Sequence, residues 1–233
     1  MFKACFSRGG GRVGRCTVSN WDHFWKSTDG GRRDVSWAKR RVVRVLLPFL
    51  SGRARVLDAG CGSGFFSGFF CDQGLETVAL DYSPEALDLA ARRTGGRARG
   101  VRADILDPHF PELIREKFDV IFSDGLFEHF SPEEQDVMVR NLSLLLTENG
   151  ILATFVPNRW SPWQLIRPFL MPGIREDPFD YQGLLELYAR NGMAVLSSGG
   201  VNVVPIRFSP EAFLGRRFGM LLFAIGMRQG SSV

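Results

Sequence analysis

The sequence predicts an α/β fold in which a parallel sheet is covered by helices on both faces. From residue 53 onward, short apolar segments alternate with segments of helical periodicity, and this alternation is typical of strand–helix–strand units. Several of the apolar segments end in an aspartate, which places carboxylates at one edge of the sheet. With 233 residues, 45% of them hydrophobic, the chain has enough apolar material for one such core.

Four strands are predicted in the first half of this region, each followed by an acidic residue. They cover residues 54–57 before Asp58, 75–80 before Asp81, 98–103 before Asp104 and 118–123 before Asp124. Helices are predicted between them, over 65–73 and over 84–93. The second of these helices begins at Ser83-Pro84, because a hydroxyl caps the free N–H groups and proline at the first position has no N–H to leave unsatisfied.

The second half continues the alternation and then interrupts it. Ser131-Pro132-Glu133-Glu134 combines an N-cap, a first-position proline and a capping-box glutamate, and predicts a helix to about residue 146. Asn149-Gly150 predicts a turn into a fifth strand over 151–156. A helix over 179–190 and extended segments over 193–204 and 218–228 follow. Residues 157–177, with four prolines and two tryptophans, are interpreted as an insertion.

The N-terminal region differs in composition from the rest of the chain. Residues 1–20 form a basic Gly/Arg-rich tail, predicted to be disordered, and 21–50 form a helical cap in which 35–47 is an amphipathic helix ended by Pro48. The main domain is predicted over 51–233. Residues 1–50 hold 11 Lys/Arg against 3 Asp/Glu, which leaves 18 against 22 for the main domain. An acidic main domain does not support a nucleic-acid partner.

Composition also argues against several other classes of protein. The longest uncharged apolar stretch, 218–227, has about half of the roughly 20 residues that a membrane-spanning helix needs. Residues 1–20 lack the apolar core of about 7–15 residues found in secretory signals. The four cysteines form no CxxC pair, and scattered thiols are typical of a reducing compartment. A cytoplasmic location without membrane insertion is therefore expected.

The loop after the first strand indicates the chemistry of the ligand. Gly60, Gly62 and Gly64 allow a tight turn that brings a ligand against main-chain N–H groups. A dinucleotide fingerprint would need glycine at position 65, which is Phe65. Asp58 would also repel a pyrophosphate, at roughly 4 kcal/mol for charges about 4 Å apart near a protein surface. These features favour a cationic ligand over a nicotinamide dinucleotide.

The aspartates of the next two strands extend this interpretation. Asp81 comes 21 residues after Gly60, where a carboxylate accepts hydrogen bonds from ribose hydroxyls. Asp104 is placed to accept a hydrogen bond from an exocyclic amine, with Ile105 or Leu106 against the ring of the base. A cationic end, a ribose and a purine together describe S-adenosylmethionine.

With these residues, the sequence resembles the class I S-adenosylmethionine-dependent methyltransferases, specifically the small-molecule enzymes of the quinone-biosynthesis type. The resemblance covers about 53–228. It rests on Val56-Leu57-Asp58-Ala59-Gly60-Cys61-Gly62-Ser63-Gly64, Asp81, Ala103-Asp104, Phe118-Asp119-Val120-Ile121, Leu126-Phe127-Glu128-His129 and 144–154. It implies a Rossmann-like, doubly wound sheet of seven strands in the order 3-2-1-4-5-7-6, with the last strand antiparallel. The cofactor would lie along the carboxyl ends of strands one to four.

The resemblance also implies which residues bind the cofactor. Asp58 and the glycine loop would hold the methionyl end, Asp81 the ribose, and Asp104 the adenine. The full cofactor set is Asp58, Ala59, Gly60, Cys61, Gly62, Gly64, Asp81, Tyr82, Asp104, Ile105, Asp124, Gly125 and Leu126.

Methyl transfer of this kind is a direct displacement, so the protein mainly aligns the reactants and excludes water. Glu128 and His129 are the candidate catalytic residues if the acceptor must lose a proton. The alternative is that the pair only shapes the pocket. No metal is predicted, because Gly125 stands three positions before Glu128, where the quinone-type relatives that bind a metal in this loop have a carboxylate. A small apolar or aromatic acceptor is expected to contact Trp21, Trp25, Trp160 and Trp163. The alternative is that these side chains only pack the cap and the insertion against the sheet. A non-catalytic module that binds the cofactor and acts through a partner protein stays an alternative.

Overall fold

The computed structural model describes residues 37–170, 176–204 and 209–230, and within the first range the side chains of 167–170 are not described. The predicted tail, Trp21 and Trp25 lie outside these residues. The predicted cap is represented by helix α1, Trp37–Leu46, and by a 3-10 helix over Leu47–Phe49 that contains Pro48. Among the described residues, no helix has the length and apolarity needed to cross a bilayer.

One seven-stranded sheet forms the centre of the described fold. Its strands are β1 Arg55–Ala59, β2 Glu76–Asp81, β3 Arg99–Arg102, β4 Phe118–Asp124, β5 Leu146–Pro157, β6 Met193–Val201 and β7 Leu221–Arg228. The spatial order is β3-β2-β1-β4-β5-β7-β6. The pairs from β3 to β5 are parallel, and β7 runs antiparallel to both β5 and β6. The predicted fold class, strand order and antiparallel last strand are confirmed.

Helices connect these strands and cover the sheet. After α1 they are α2 Phe65–Asp72, α3 Pro84–Thr94, α4 Phe110–Ile114, α5 Pro132–Leu144, α6 Trp163–Leu170, α7 Tyr181–Arg190 and α8 Glu211–Phe218. The N-caps predicted at Ser83 and Ser131 are confirmed. Ser83 Oγ accepts a hydrogen bond from Ala86 N, and Ser131 forms the expected capping box with Glu134.

Two local predictions differ from the structure. The helix expected to reach residue 146 ends at Leu144, and β5 begins at Leu146. Asn149-Gly150 therefore lies within the strand, where the pairing of β4 with β5 shifts register between Phe118 and Val120. The extra residues are accommodated as an irregularity of the ladder instead of a separate turn. The short helix α4 was not predicted, because two prolines within four residues obscure its periodicity.

The sheet residues alternate between two apolar layers, as the pleat requires. Leu57 and Ile121 face the layer formed with α4, α5 and α7. Val56 and Phe122 face the opposite layer, which α1 and α2 complete. Because α1 packs against the core on the same side of the sheet as α2, it also lies beside the loop that joins β1 to α2.

A buried charged network fixes α1 to the other end of the chain. Arg41, 4% exposed, forms an ion pair of 2.9 Å with Glu211 of α8. It also donates hydrogen bonds to Asn202 Oδ1 at 3.2 Å and to the carbonyl of Val204 at 2.8 Å. The backbone N–H of Asn202 donates to Glu211 Oε1 at 2.9 Å. The buried guanidinium has several acceptors, so these contacts hold the helix in one position.

Candidate active site

The loop between β1 and α2 is shaped by close backbone approaches. Gly60 N and Cys61 N both donate to the carbonyl of Leu80, at 2.8 and 2.9 Å. Gly64 has φ of 69° and is the N-cap of α2, and a Cβ there would lie 2.4 Å from Ala90 Cα of α3. Glycine is therefore required at position 64 for both conformation and space. Cys61 is buried within this loop, and burial raises the pKa of its thiol.

Asp58 is buried beneath the loop, with 3% of its surface exposed. Its Oδ2 accepts a hydrogen bond of 2.5 Å from Ser67 Oγ on α2. Burial raises the pKa of the carboxyl to about 7, against the opposing effect of the Ser67 hydrogen bond, and the nearby carboxylates of Asp124 and Asp81 raise it further. The site thus holds a carboxyl whose ionised form a neighbouring cation would stabilise.

Asp81 joins the glycine loop to the end of β2. Its Oδ2 accepts from Gly62 N at 3.0 Å, and its Oδ1 accepts from Ser83 N at 2.9 Å. Because each carboxylate oxygen has two acceptor positions, both oxygens can also accept hydrogen bonds from a ligand. The position of the loop and the position of this carboxylate are therefore coupled.

Asp104 and Tyr82 line an open cavity of about 460 Å³ beyond the ends of β2 and β3. Asp104 Oδ1 accepts a hydrogen bond of 2.9 Å from Leu106 N, which fixes the turn after β3. Ile105 does not line this cavity: its side chain is buried in the core, and its carbonyl accepts a hydrogen bond from Asn141. The predicted adenine side therefore offers an open space lined by two carboxylates, Asp104 and Asp107, and by one aromatic ring.

The end of β4 meets the glycine loop directly. A Cβ on Gly60 would lie 2.9 Å from Leu126 Cδ1, so this leucine occupies the space that the glycine leaves. Gly125 has φ of 73°, and its N–H donates to the carbonyl of Phe155 at 3.0 Å. Burial raises the pKa of Asp124 to about 6, and the Lys39 ammonium opposes this shift. Asp58 and Asp124 thus lie close together, since β1 and β4 are neighbours.

Glu128 and His129 lie on a 3-10 helix, Phe127–His129, just after this point. Their side chains are 2% and 6% exposed, and His129 Nε2 lies 3.9 Å from Glu128 Oε1. Gln135 supports the turn by donating hydrogen bonds to the carbonyls of Phe127 and Phe130. The pair is therefore held in place at the edge of the predicted cofactor site.

A second carboxylate reaches the same place from a distant part of the sequence. Among the described residues, Glu128, His129 and Glu176 form a group whose ligand atoms all lie within 4.8 Å of one another, close enough to share a metal ion. The end of the insertion is fixed here because Asp177 N donates to the carbonyl of Glu128 at 2.8 Å. The expectation that no metal is needed stays a prediction.

Two of the four predicted acceptor-binding tryptophans lie among the described residues. Trp160 is 64% exposed, and Trp163, at the start of α6, is half-buried. Trp21 and Trp25 lie outside the described residues. Two further residues beside the site were not predicted. Lys39 of α1 and Glu176 come from segments far from the glycine loop in sequence, and neither belongs to a motif that would have marked it.

The strand order and the glycine loop between β1 and α2 are those of the class I methyltransferase fold. Residues 56–150 match the profile of the methyltransferase domain family. A solved S-adenosylmethionine-dependent methyltransferase from Anabaena variabilis superposes with a TM-score of 0.68 at 20% identity, over 97% of this chain and 99% of that one. The likeness at this identity concerns the fold.

Two curated relatives are similar over part of their length. The chain is 38% identical over 117 residues to malonyl-[acyl-carrier protein] O-methyltransferase of Enterobacter lignolyticus, covering 49% of this chain and 44% of the relative. It is 37% identical over 83 residues to ubiquinone biosynthesis O-methyltransferase of Xylella fastidiosa, covering 34% and 32%. The chain thus spans less than half the length of these relatives. Residues 56–150 are thus similar to a methyltransferase domain, and the described sheet has the fold of the class I methyltransferases, a class whose cofactor is S-adenosylmethionine.

The raised pKa of Asp58 predicts how stability depends on pH. The folded protein keeps a proton on this group between about pH 4 and about pH 7, whereas the unfolded chain releases it near the ordinary value of 3.8. The contribution to stability is therefore present at low pH and is lost as pH rises through about 7. We expect the melting temperature of the ligand-free protein to fall between about pH 5 and about pH 8, and Asp58→Asn to show a weaker fall.

The matched control is Asp88→Asn on the exposed face of α3, which should keep the dependence of the unmodified protein. Thermal melts followed by circular dichroism across this range provide the measurement. An equal slope in Asp58→Asn and the unmodified protein would contradict the assignment of the proton to Asp58.

Proposed function

We propose that the protein transfers the methyl group of S-adenosylmethionine to an oxygen of a small acceptor. The observation that carries this proposal is the meeting of two cation-favouring carboxyls, the buried Asp58 and the half-buried Asp124, with the glycine loop at the ends of β1 and β4. A methyl donor with a sulfonium and an ammonium supplies the positive charge that such a pair would stabilise.

The remaining proposed cofactor residues fit a nucleoside that extends from the end of β1 past β2 toward β3. Asp81, at the end of β2, is placed to accept hydrogen bonds from the ribose, and the cavity lined by Tyr82 and Asp104 is placed to accept the adenine. In this proposal, the adenine, ribose and methionyl contacts follow one another along one edge of the sheet in the strand order β3-β2-β1-β4. The proposed assignment uses Asp58, Asp81, Asp104 and Asp124 for separate parts of one molecule.

In the proposed reaction, an acceptor oxygen attacks the methyl carbon as the bond from carbon to sulfur breaks. The electron pair of that bond stays on sulfur, so the sulfonium becomes the neutral thioether of S-adenosylhomocysteine. Because the methyl group is already activated by its positive sulfur, the protein contributes alignment and a site from which water is excluded. The tight contact between Gly60 and Leu126 closes the site on the side of the sheet.

His129 is proposed to take the acceptor proton, with Glu128 beside it. The separation of 3.9 Å is too long for a hydrogen bond, but a carboxylate at this distance favours the imidazolium that forms when the ring accepts a proton. Glu176 adds a second carboxylate to the same surroundings. The arrangement supports proton transfer at an oxygen acceptor.

The acceptor class is proposed from the names of the relatives and from the insertion. Both curated relatives are O-methyltransferases by name, which favours oxygen over nitrogen or carbon as the methylated atom. The side chains of Trp160, Leu165 and Ile166 are exposed on the segment that follows β5. An apolar or aromatic acceptor would bury part of that surface.

Turnover tests the proposed function against the alternative of a non-catalytic cofactor-binding module. The protein is incubated with labelled S-adenosylmethionine and a panel of phenols and small carboxylic acids, and S-adenosylhomocysteine is quantified by mass spectrometry. We expect acceptor-dependent formation of S-adenosylhomocysteine and of the matching methyl ether or ester. Tight cofactor binding without turnover across the panel would favour the non-catalytic alternative.

Substitution of Asp81 tests the cofactor assignment. Each hydrogen bond to a charged group is worth about 1.5–3 kcal/mol, so we expect Asp81→Ala to weaken S-adenosylhomocysteine binding by about 10- to 100-fold in calorimetric titrations. Asp88→Ala, which removes an exposed carboxylate from α3, should bind normally. Unchanged affinity in a folded Asp81→Ala protein would remove Asp81 from the site.

Substitution of His129 tests the proposed base. General-base catalysis contributes about 100- to 10,000-fold, so His129→Asn should lower kcat by an amount in this range while S-adenosylhomocysteine affinity changes less than about twofold. His109→Asn, in an exposed position before α4, should keep normal turnover. A changed KM with nearly normal kcat and an unchanged pH profile would show that His129 only shapes the pocket.

A further inference from the structure

Two different elements hold the glycine loop. Strand β2 fixes it as far as Gly62, whose N–H donates to Asp81 Oδ2 at 3.0 Å. The next residue, Ser63, is contacted from α3. Arg93 of that helix donates from Nη1 to the carbonyl of Ser63 at 3.3 Å and to its hydroxyl oxygen at 3.1 Å. Helix α3 therefore holds the part of the loop that follows Gly62.

The stem of Arg93 passes along the start of α2. A Cβ on Gly68 would lie 3.7 Å from Arg93 Cγ, which is ordinary van der Waals contact. Ala90 lies one turn before Arg93 on α3, and a Cβ on Gly64 would lie 2.4 Å from Ala90 Cα. Because residues three apart in a helix share a face, one face of α3 packs on the end of the loop and on α2. This packing sets the direction in which Arg93 reaches Ser63.

The ring of Phe65 gives Arg93 a second contact in this region. Phe65 is the first residue of α2, and Arg93 Cζ lies 5.8 Å from the centroid of its ring. Lys39 of α1 has its Nζ 4.0 Å from the same centroid. The two cations repel each other, and the ring attracts both because its faces carry partial negative charge. The residue that follows the loop is thus contacted from α1 and from α3.

We propose that Arg93 is a positioning residue for the cofactor, because it holds Ser63 and with it the shape of the loop that receives the methionyl end. This role rests on the proposed function and adds to it a residue that acts through the loop. A loop that is held before binding avoids the ordering cost that a mobile loop meets on binding. Loss of the Arg93 side chain therefore weakens the contacts that the loop makes and leaves the nucleoside contacts at β2 and β3 in place.

Three substitutions remove different parts of this contact. Arg93→Met keeps an unbranched stem beside Gly68 and removes every donor. Arg93→Lys keeps a charged donor but loses the planar guanidinium. Ser63→Ala removes the hydroxyl contact and keeps the carbonyl that Arg93 also bonds. Arg93→Met is therefore expected to have the largest effect, and the other two substitutions intermediate effects.

Two ligands that differ in the amino-acid end test this role. S-adenosylhomocysteine has that end, and 5′-methylthioadenosine keeps the nucleoside and the sulfur but lacks it. Both are titrated calorimetrically into the unmodified full chain, the three variants and the Arg93→Met/Ser63→Ala double variant. Arg92→Met is the matched control, because Arg92 is the neighbouring arginine and is exposed on the same helix. Thermal melts followed by circular dichroism verify that each protein is folded.

Hydrogen exchange of the ligand-free proteins gives a second readout that needs no cofactor. Exchange of backbone amides is followed by mass spectrometry for a peptide that covers the glycine loop and for a peptide that covers α3. Exchange reports local opening of the backbone. We expect the loop peptide to exchange faster in Arg93→Met than in the unmodified protein and in Arg92→Met, and the α3 peptide to exchange at the same rate in all three.

We expect Arg93→Met to weaken S-adenosylhomocysteine binding by at least about fivefold and 5′-methylthioadenosine binding by less than about twofold, because only the first ligand uses the ordered loop. The double variant should bind S-adenosylhomocysteine no more weakly than Arg93→Met, since both substitutions remove the same contact.

Equal weakening of both ligands, which general destabilisation would cause, overturns the proposal. Unchanged S-adenosylhomocysteine affinity or unchanged exchange of the loop peptide does so as well. If Arg93→Met does not fold, the same comparison of ligands in Arg93→Lys and Ser63→Ala decides. Failure of the unmodified protein to bind either ligand would instead contradict the proposed function, and the exchange of the loop peptide would still show whether Arg93 holds the loop.

Discussion

The site depends on the cost of keeping two carboxyls ionised, one buried and one half-buried. Asp58 and Asp124 both have pKa values raised by burial, and the parallel pairing of β1 with β4 keeps them close. Hydrogen bonds to Asp58 from the side chain and the backbone of Ser67 offset only part of that cost. Such a pair disfavours an anionic ligand and favours a cationic one, so the charge of the ligand is selected before any shape is considered.

The same strand ends connect this electrostatic preference to the position of the ligand. Asp81 accepts hydrogen bonds from Gly62 and Ser83, and the loop is closed by Leu126 from the other side. The loop is therefore held between the ends of β2 and β4 without help from a ligand. A site already in place avoids the ordering cost that a flexible loop would meet on binding.

The sequence was sufficient for those parts of the structure that local chemistry determines. Aspartates after apolar strands located the edge of the sheet, and Ser83 and Ser131 located two helix starts. Asn149-Gly150 was misleading because the pairing of β5 with β4 overrode a strong turn signal. Lys39 and Glu176 could not be predicted, since each reaches the site only through contacts between segments far apart in sequence.

The anchoring of α1 has a consequence for how this site changes in evolution or by design. Lys39 faces Asp124 because Arg41 is bonded to Glu211 and Asn202, more than 160 residues later in the case of Asn202. Breaking one partner of a buried ion pair leaves the other charge uncompensated, which destabilises the contact strongly. Helix α1 and the loop between β6 and α8 must therefore change together. Changes confined to the glycine loop would leave the charge of Lys39 near Asp124 in place.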